Sequence, residues 1–160
     1  MELGTTLIGI ICVAICAMPF VLTNRSRKKI VKHQLIALKD LAKQHNCEIT
    51  QHDIYSYYAI GIDEFNNSIS FISKDEEAVK EQFINLSTIS RCKIVNISKS
   101  RGKSGKQIDE LYLKLSFIDK TKPDIMLEFY NTEVSYQLGE ELQSIDKWNK
   151  IINNLLKVKE

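Results

Sequence analysis

The stretch SKSRGKSGKQ, residues 98–107, contains Gly102, Lys103 and Ser104, the residue types with which a phosphate-binding loop ends. Such a loop needs a first glycine five positions earlier, a strand before it and a helix after it. Backbone amides and the helix N-terminus then surround the phosphates. The fifth position before Gly102 is Ile97, and the following QIDELYLKLSF alternates like a strand. Both conditions fail, and a solvated hairpin loop is expected instead. Its Lys99, Arg101, Lys103 and Lys106 are a candidate contact for an anionic partner.

Other chemistry-bearing residues form no known constellation. His45, Cys47, His52 and Cys92 are zinc-ligand types, yet their spacing contains none of the tight ligand pairs that zinc sites use. The neighbours Asp63 and Glu64, Asp109 and Glu110, and Glu140 and Glu141 would point to opposite faces of a strand. They make no acid–base pair. Neither a Gly-x-Ser-x-Gly elbow nor a Cys–His nucleophile arrangement is present. The expectation is a non-enzymatic protein without catalytic residues, metal or cofactor. Tyr55, Tyr57 and Tyr58 either line a groove or pack into a core, and aromatic residues on a β-surface more often pack.

The elements that must position these residues begin with a run of unusual composition. Residues 3–23, LGTTLIGIICVAICAMPFVLT, carry no charge, and a helix of that length spans roughly the 30 Å of a bilayer core. Residues 24–32 then hold Arg25, Arg27, Lys28, Lys29 and Lys32, whereas no Lys or Arg precedes the run. Basic flanks stay on the cytoplasmic side. The expectation is a single-pass transmembrane helix at 3–23, with the N-terminus outside the cell membrane and everything after Asn24 cytoplasmic. The basic cluster itself is a second candidate contact for anionic lipid headgroups.

The chain has 160 residues and a formal net charge of +2, but the charge is uneven. Residues 1–46 hold 7 Lys and Arg against 2 Asp and Glu, leaving 15 basic and 18 acidic residues for 47–160. A mildly acidic remainder argues against nucleic acid as a partner. Cys12, Cys16, Cys47 and Cys92 make no disulfide framework in a cytoplasmic setting.

Segment 24–46 reads as a basic juxtamembrane stretch continued by an amphipathic helix, with Val31, Leu35, Leu38 and Ala42 on one face and Asn46 ending it. From residue 47 the pattern turns strand-like. Strands are expected at 47–50, 54–62, 69–73, 83–97, 111–118 and 125–130, with KDEEAVKEQ as a charged connection and DEFNNS as a turn suited to left-handed Asn. Residue 83–97 is either one bent strand or two short ones. Leu138, Leu142, Ile145, Trp148, Ile152 and Leu155 then recur at helical spacing.

The order of IYSYYAIGID, FINLSTISRCKIV, LYLKLSFIDKTKPDIMLEFY and a closing helix QSIDKWNKIINNLL with Trp148 resembles the pleckstrin-homology-like (PH-like) family. It is also similar to bacterial single-pass membrane proteins with a cytosolic domain of this kind. The resemblance implies an α+β fold over 47–160: a mostly antiparallel six- to seven-stranded barrel or sandwich capped by a C-terminal helix from which Trp148 packs inward. Members that bind phosphoinositides place basic residues in the first inter-strand loop. Here that loop, DEFNNS, is acidic, so specific inositol-lipid binding does not carry over. The functional expectation is a domain that binds a protein partner or scaffolds a complex at the membrane, with anionic-lipid contact through residues 25–32 and 99–106 as the alternative.

Overall fold

Leucines three residues apart, at 35, 38 and 41, flanked by lysines, give the first described element its two faces. The computed structural model describes residues 28–74, 78–100, 106–135 and 138–157. Helix α1 covers 28–44 and buries Leu38, Leu41 and Ala42, with Gln34 beside them. Asn46 ends it in the left-handed conformation, φ 56°. The amide of Cys47 donates to the Ala42 carbonyl and that of Asn46 to the Lys43 carbonyl, both at 3.0 Å. This paired closure satisfies carbonyls the last turn would otherwise leave open.

Seven strands follow: β1 (Gln51–Ile54), β2 (Tyr58–Asp63), β3 (Ser68–Lys74), β4 (Val79–Asn85), β5 (Ile89–Ser100), β6 (Lys106–Phe117) and β7 (Ile125–Asn131). They form two antiparallel sheets, one in the order β1-β2-β3-β4 and the other in the order β5-β6-β7. Helix α2 (Glu141–Lys157) closes the described chain. Leu86–Thr88 make a single 3-10 turn between β4 and β5, where the Asn85 side chain accepts from the Ser87 amide at 2.9 Å. That turn divides 83–97 into two strands.

The main core lies between the sheets and under α2. Tyr58, Ile60 and Ile62 of β2, Ile69 and Phe71 of β3, Leu111, Leu113 and Leu115 of β6 and Trp148 of α2 all belong to it. Residues two apart on a strand share a face, so alternate β2 residues face the opposite way. There Ala59 joins Ile72 of β3 beneath Leu38 and Leu41 of α1 in a second, smaller core. Every residue of β2 is buried because its sheet is covered on both sides. Gly61 permits the close seat: a Cβ there would stand 3.0 Å from two Ile49 carbons and 3.1 Å from Leu38.

On β7, Phe129 and Tyr130 are both buried although they are adjacent. A register shift in the β6–β7 pairing explains this, because an extra residue turns two successive side chains inward. On α2, Ile145, Trp148 and Ile152 are buried as their spacing predicts, but Glu141 and Ser144 take inward positions while Leu142 is exposed.

The expected fold class is corrected in two respects. No helix among the described residues is long and apolar enough to cross a membrane, since α1 carries Lys28, Lys29, Lys32, Lys39 and Lys43, and α2 is charged along its outer face. The uncharged run 3–23, on which transmembrane and single-pass readings rested, lies outside the described residues. The strands also form two open sheets rather than a closed barrel. β4, rich in Lys, Glu and Gln, ends one sheet, and β7 ends the other, with no ladder pairing between them among the described residues. Sequence boundaries move as well: 47–50 is no strand, and KDEEAVKEQ contributes Val79–Gln82 to β4 instead of a connection.

Candidate functional site

The separation of β4 from β7 leaves a cleft of about 260 Å3. Lys80 and Gln82 of β4, with Ser73 and Lys74 at the end of β3, form one wall. Met126, Glu128 and Asn131 of β7, with Tyr112 of β6, form the other. Tyr57 enters from the turn after β1, and its hydroxyl lies 2.5 Å from Ser135 Oγ. At the floor, Tyr58 stacks on Tyr55 at 4.8 Å and packs against Phe129 at 4.7 Å between ring centres. Of the three tyrosines read as groove or core, Tyr58 is therefore core and Tyr57 lines the cleft.

Tyr112 carries the densest polar chemistry of the cleft. Its hydroxyl stands 2.8 Å from Glu110 Oε2 and 3.1 Å from Glu128 Oε2, and Asn131 Nδ2 donates to the same Glu128 oxygen at 3.4 Å. Burial, then the two carboxylates it faces, push the Tyr112 phenol well above the ordinary tyrosine range. A phenol held protonated between two carboxylates is a hydrogen-bond donor rather than a base. With Glu128 and Asn131 beside it and Gln82 on the facing wall, the cleft can accept from and donate to peptide groups.

The residues proposed as anionic contacts occupy two separate elements. Lys28, Lys29 and Lys32 are exposed on the first turns of α1, whereas Lys99 stands next to last on β5 and Lys106 begins β6. Arg25, Arg27, Arg101 and Lys103 lie outside the described residues. Residue Ser100 pairs with Lys106 across an antiparallel hairpin, and a strand rather than a helix follows the glycines. A phosphate-binding loop is thus ruled out by topology. Lys99 is not a free cation: its Nζ stands 3.2 Å from Asp109 Oδ2, the lysine 70% exposed and the aspartate 1%.

The zinc-type residues go to different duties. The His45 ring stacks on Phe83 at 3.8 Å, and Ser68 Oγ donates to Cys47 Sγ at 3.3 Å. His52 is exposed on β1, and Cys92 is buried in the main core, where burial pushes its thiol up to about 12. Among the described residues no three His, Cys, Asp or Glu gather to hold a metal.

Of the adjacent carboxylate pairs, only Asp109 and Glu110 both lie on a strand, β6, whereas Glu64 stands in the turn after β2 and Glu141 opens α2. Asp63 is buried and caps the β2–β3 turn, accepting from the amides of Glu48, Phe65 and Asn66 at 2.8–3.0 Å and from Asn66 Nδ2 at 2.7 Å. Burial pushes this carboxyl up, but the hydrogen bonds from Asn66, Glu48 and Phe65 outweigh it and hold the pKa below the usual carboxylate value. Glu64 instead accepts from Gln51. At the other end of β1, Asp53 takes Trp148 Nε1 at 2.8 Å and Lys147 Nζ at 2.7 Å, fastening α2 to the first sheet.

Sequence reasoning missed Lys80, Gln82, Tyr112 and Glu128. The alternation that placed Leu111, Leu113 and Leu127 inward also sets Tyr112 and Glu128 on the opposite face, and that signal was available. Lys80 and Gln82 were hidden because an edge strand with a charged face reads as a connection. No family model, curated protein or solved structure matches the chain significantly.

Proposed function

We propose that this is a non-enzymatic, partner-binding domain whose cleft takes an extended segment of another protein, and that it works at the cytoplasmic face of a cell membrane. One observation carries the binding reading. β4 and β7, the end strands of two different sheets, border the same cleft. The outer edge of an end strand carries backbone N–H and C=O groups that its own sheet leaves open, and an extended chain is the ligand that matches them. Lys74 and Lys80 on one wall and Glu128 on the other supply opposite charges that would set the direction of the bound segment. The basic residues 25–32 after the uncharged run 3–23 support the location. The order of four strands, three strands and a C-terminal helix supports kinship with the PH-like family, with its sheets standing open.

Photo-crosslinking of the full-length chain in cells tests the reading. A crosslinker replacing Gln82 or Met126 should capture the same protein, through one continuous peptide. A crosslinker at Lys120, on the exposed turn between β6 and β7, should not. Equal capture at all three positions, or none at Gln82 and Met126, would sink the proposal.

A further inference from the structure

The outward face of α1 is a second surface with a chemistry of its own. Lys28, Lys29, Lys32, Lys39 and Lys43 are all exposed, against Asp40 as the helix's acidic residue. Lys28, Lys32, Lys39 and Lys43 recur at steps that keep them along one side of a helix. The chain from 47 onward is net acidic, so this layer is a basic sheath on an acidic body. A lysine stripe alone is an ordinary solvated face, but apolar side chains stand within this one. Ile36 is 50% exposed among the lysines, and Phe65 is 89% exposed at the tip of the β2–β3 turn. Lys43 and Phe65 border one shallow depression, which brings the turn to the end of the stripe.

Phe65 is held out by its neighbours. The Asp63 carboxylate accepts four hydrogen bonds within and beside this turn, and Asn67 takes the left-handed conformation, φ 48°. A fixed turn cannot fold its phenyl ring back onto the core. We infer that the outward face of α1, with Lys39, Lys43, Ile36 and Phe65, docks on an anionic bilayer surface. Lysines meet the headgroup charge, while Phe65 and Ile36 enter the boundary with the acyl chains. The remainder of the chain is net acidic, exposed Glu64 beside Phe65 included, so the lysine stripe of α1 is the part drawn to the surface and sets the orientation. This assignment is independent of the cleft: it concerns the opposite side of the first sheet and another class of partner.

The full-length chain carrying Phe65→Trp provides the test, with the unsubstituted chain subtracted to remove Trp148. Vesicles of phosphatidylcholine, with or without phosphatidylglycerol, carry bromine on their acyl chains. In anionic vesicles the added emission should be quenched at least about twofold. It should recover as salt rises from about 50 mM to about 500 mM, where screening shortens the reach of the lysines. Adding Lys39→Glu and Lys43→Glu should abolish quenching, since each lysine near such a surface contributes roughly fivefold to its occupancy. Unchanged Trp148 emission in that variant confirms an intact fold. Equal quenching in neutral vesicles, or indifference to the charge reversal, overturns the assignment. So does absence of quenching, which would leave the face to an acidic protein.

Discussion

The first sheet is buried on both faces, and the two sides differ in depth. Beneath the second sheet and α2, its residues join a core that includes Trp148, Tyr58, Phe71 and Phe129 and draws on both sheets. Beneath α1, the fully covered set is Leu38, Leu41, Ala59 and Ile72, with Ile49, Ile54 and Phe83 partly covered around it. Apolar burial is worth roughly 25 cal/mol per Å2, so the side with the larger aromatic area holds most of the cohesion. The α1 layer is seated on a sheet that is already completed by the rest of the chain. Its outward face is consequently free to be chosen for charge, which is where the lysines stand.

The sharpest way to break this comparison is at the deeper core. Trp148→Ala should cost about 3–5 kcal/mol, a large part of a typical total of roughly 5–15 kcal/mol. It removes a fully buried ring and also the Nε1 donor to Asp53. A denaturant midpoint equal to that of the parent would show that α2 is no part of the cohesive unit. Next, Leu38→Ala in the outer core should cost about 2–3 kcal/mol, toward the lower end for buried leucines because a helix face can settle into the gap. Hydrogen exchange should meanwhile quicken in α1 well before β2 and β6 respond. If all three quickened together, the two cores would be one cooperative unit.

The turn carrying Phe65 gives a smaller effect with a defined pH dependence. Asp63 has a folded pKa below its unfolded value, which is near 3.9. Its contribution is therefore fully present above the unfolded value and is lost as pH falls from about 4 through the lower folded value. Asp63→Asn should cost about 1.5–2 kcal/mol at neutral pH, the scale of hydrogen bonds to a charged group. It should also flatten the acid limb of a stability–pH curve. An unaltered acid limb would locate that limb in other carboxylates. Smallest of all, Lys99→Ser should cost about 1 kcal/mol, above the roughly 0.5 kcal/mol of an ordinary surface change, because buried Asp109 loses a partner. A change no larger than that ordinary figure would make Lys99 as replaceable as any loop lysine.

Legibility in the sequence followed exposure. Where one face of a strand is core and the other is wet, the alternation is plain, as at Leu111, Leu113 and Leu115, and the helical spacing of Ile145, Trp148 and Ile152 was equally readable. The run 54–62 misled because IYSYYAIGI is strand-like throughout. The turn at Tyr55–Tyr57 has no glycine or proline, and packing of Tyr55 on Tyr58 stabilises it instead. Lys80 and Glu81 concealed β4, since an edge strand needs little apolar content. The inward turn of both Phe129 and Tyr130 depends on the register of a partner strand, a long-range fact that local pattern does not hold. The cleft was illegible for the same reason: it exists only where the ends of two sheets approach.

The buried thiol of Cys92 gives the molecule an internal clock. Burial pushes its pKa up to about 12, so at pH 7 the thiol stays protonated, and the main core screens it from reagents. Alkylation must wait for the sheets to part. Cys47, half covered just past the end of α1, is reachable without any such opening. With Cys12 and Cys16 replaced by serine, its labelling rate is the reference against which the delay at Cys92 measures how often the inner core opens.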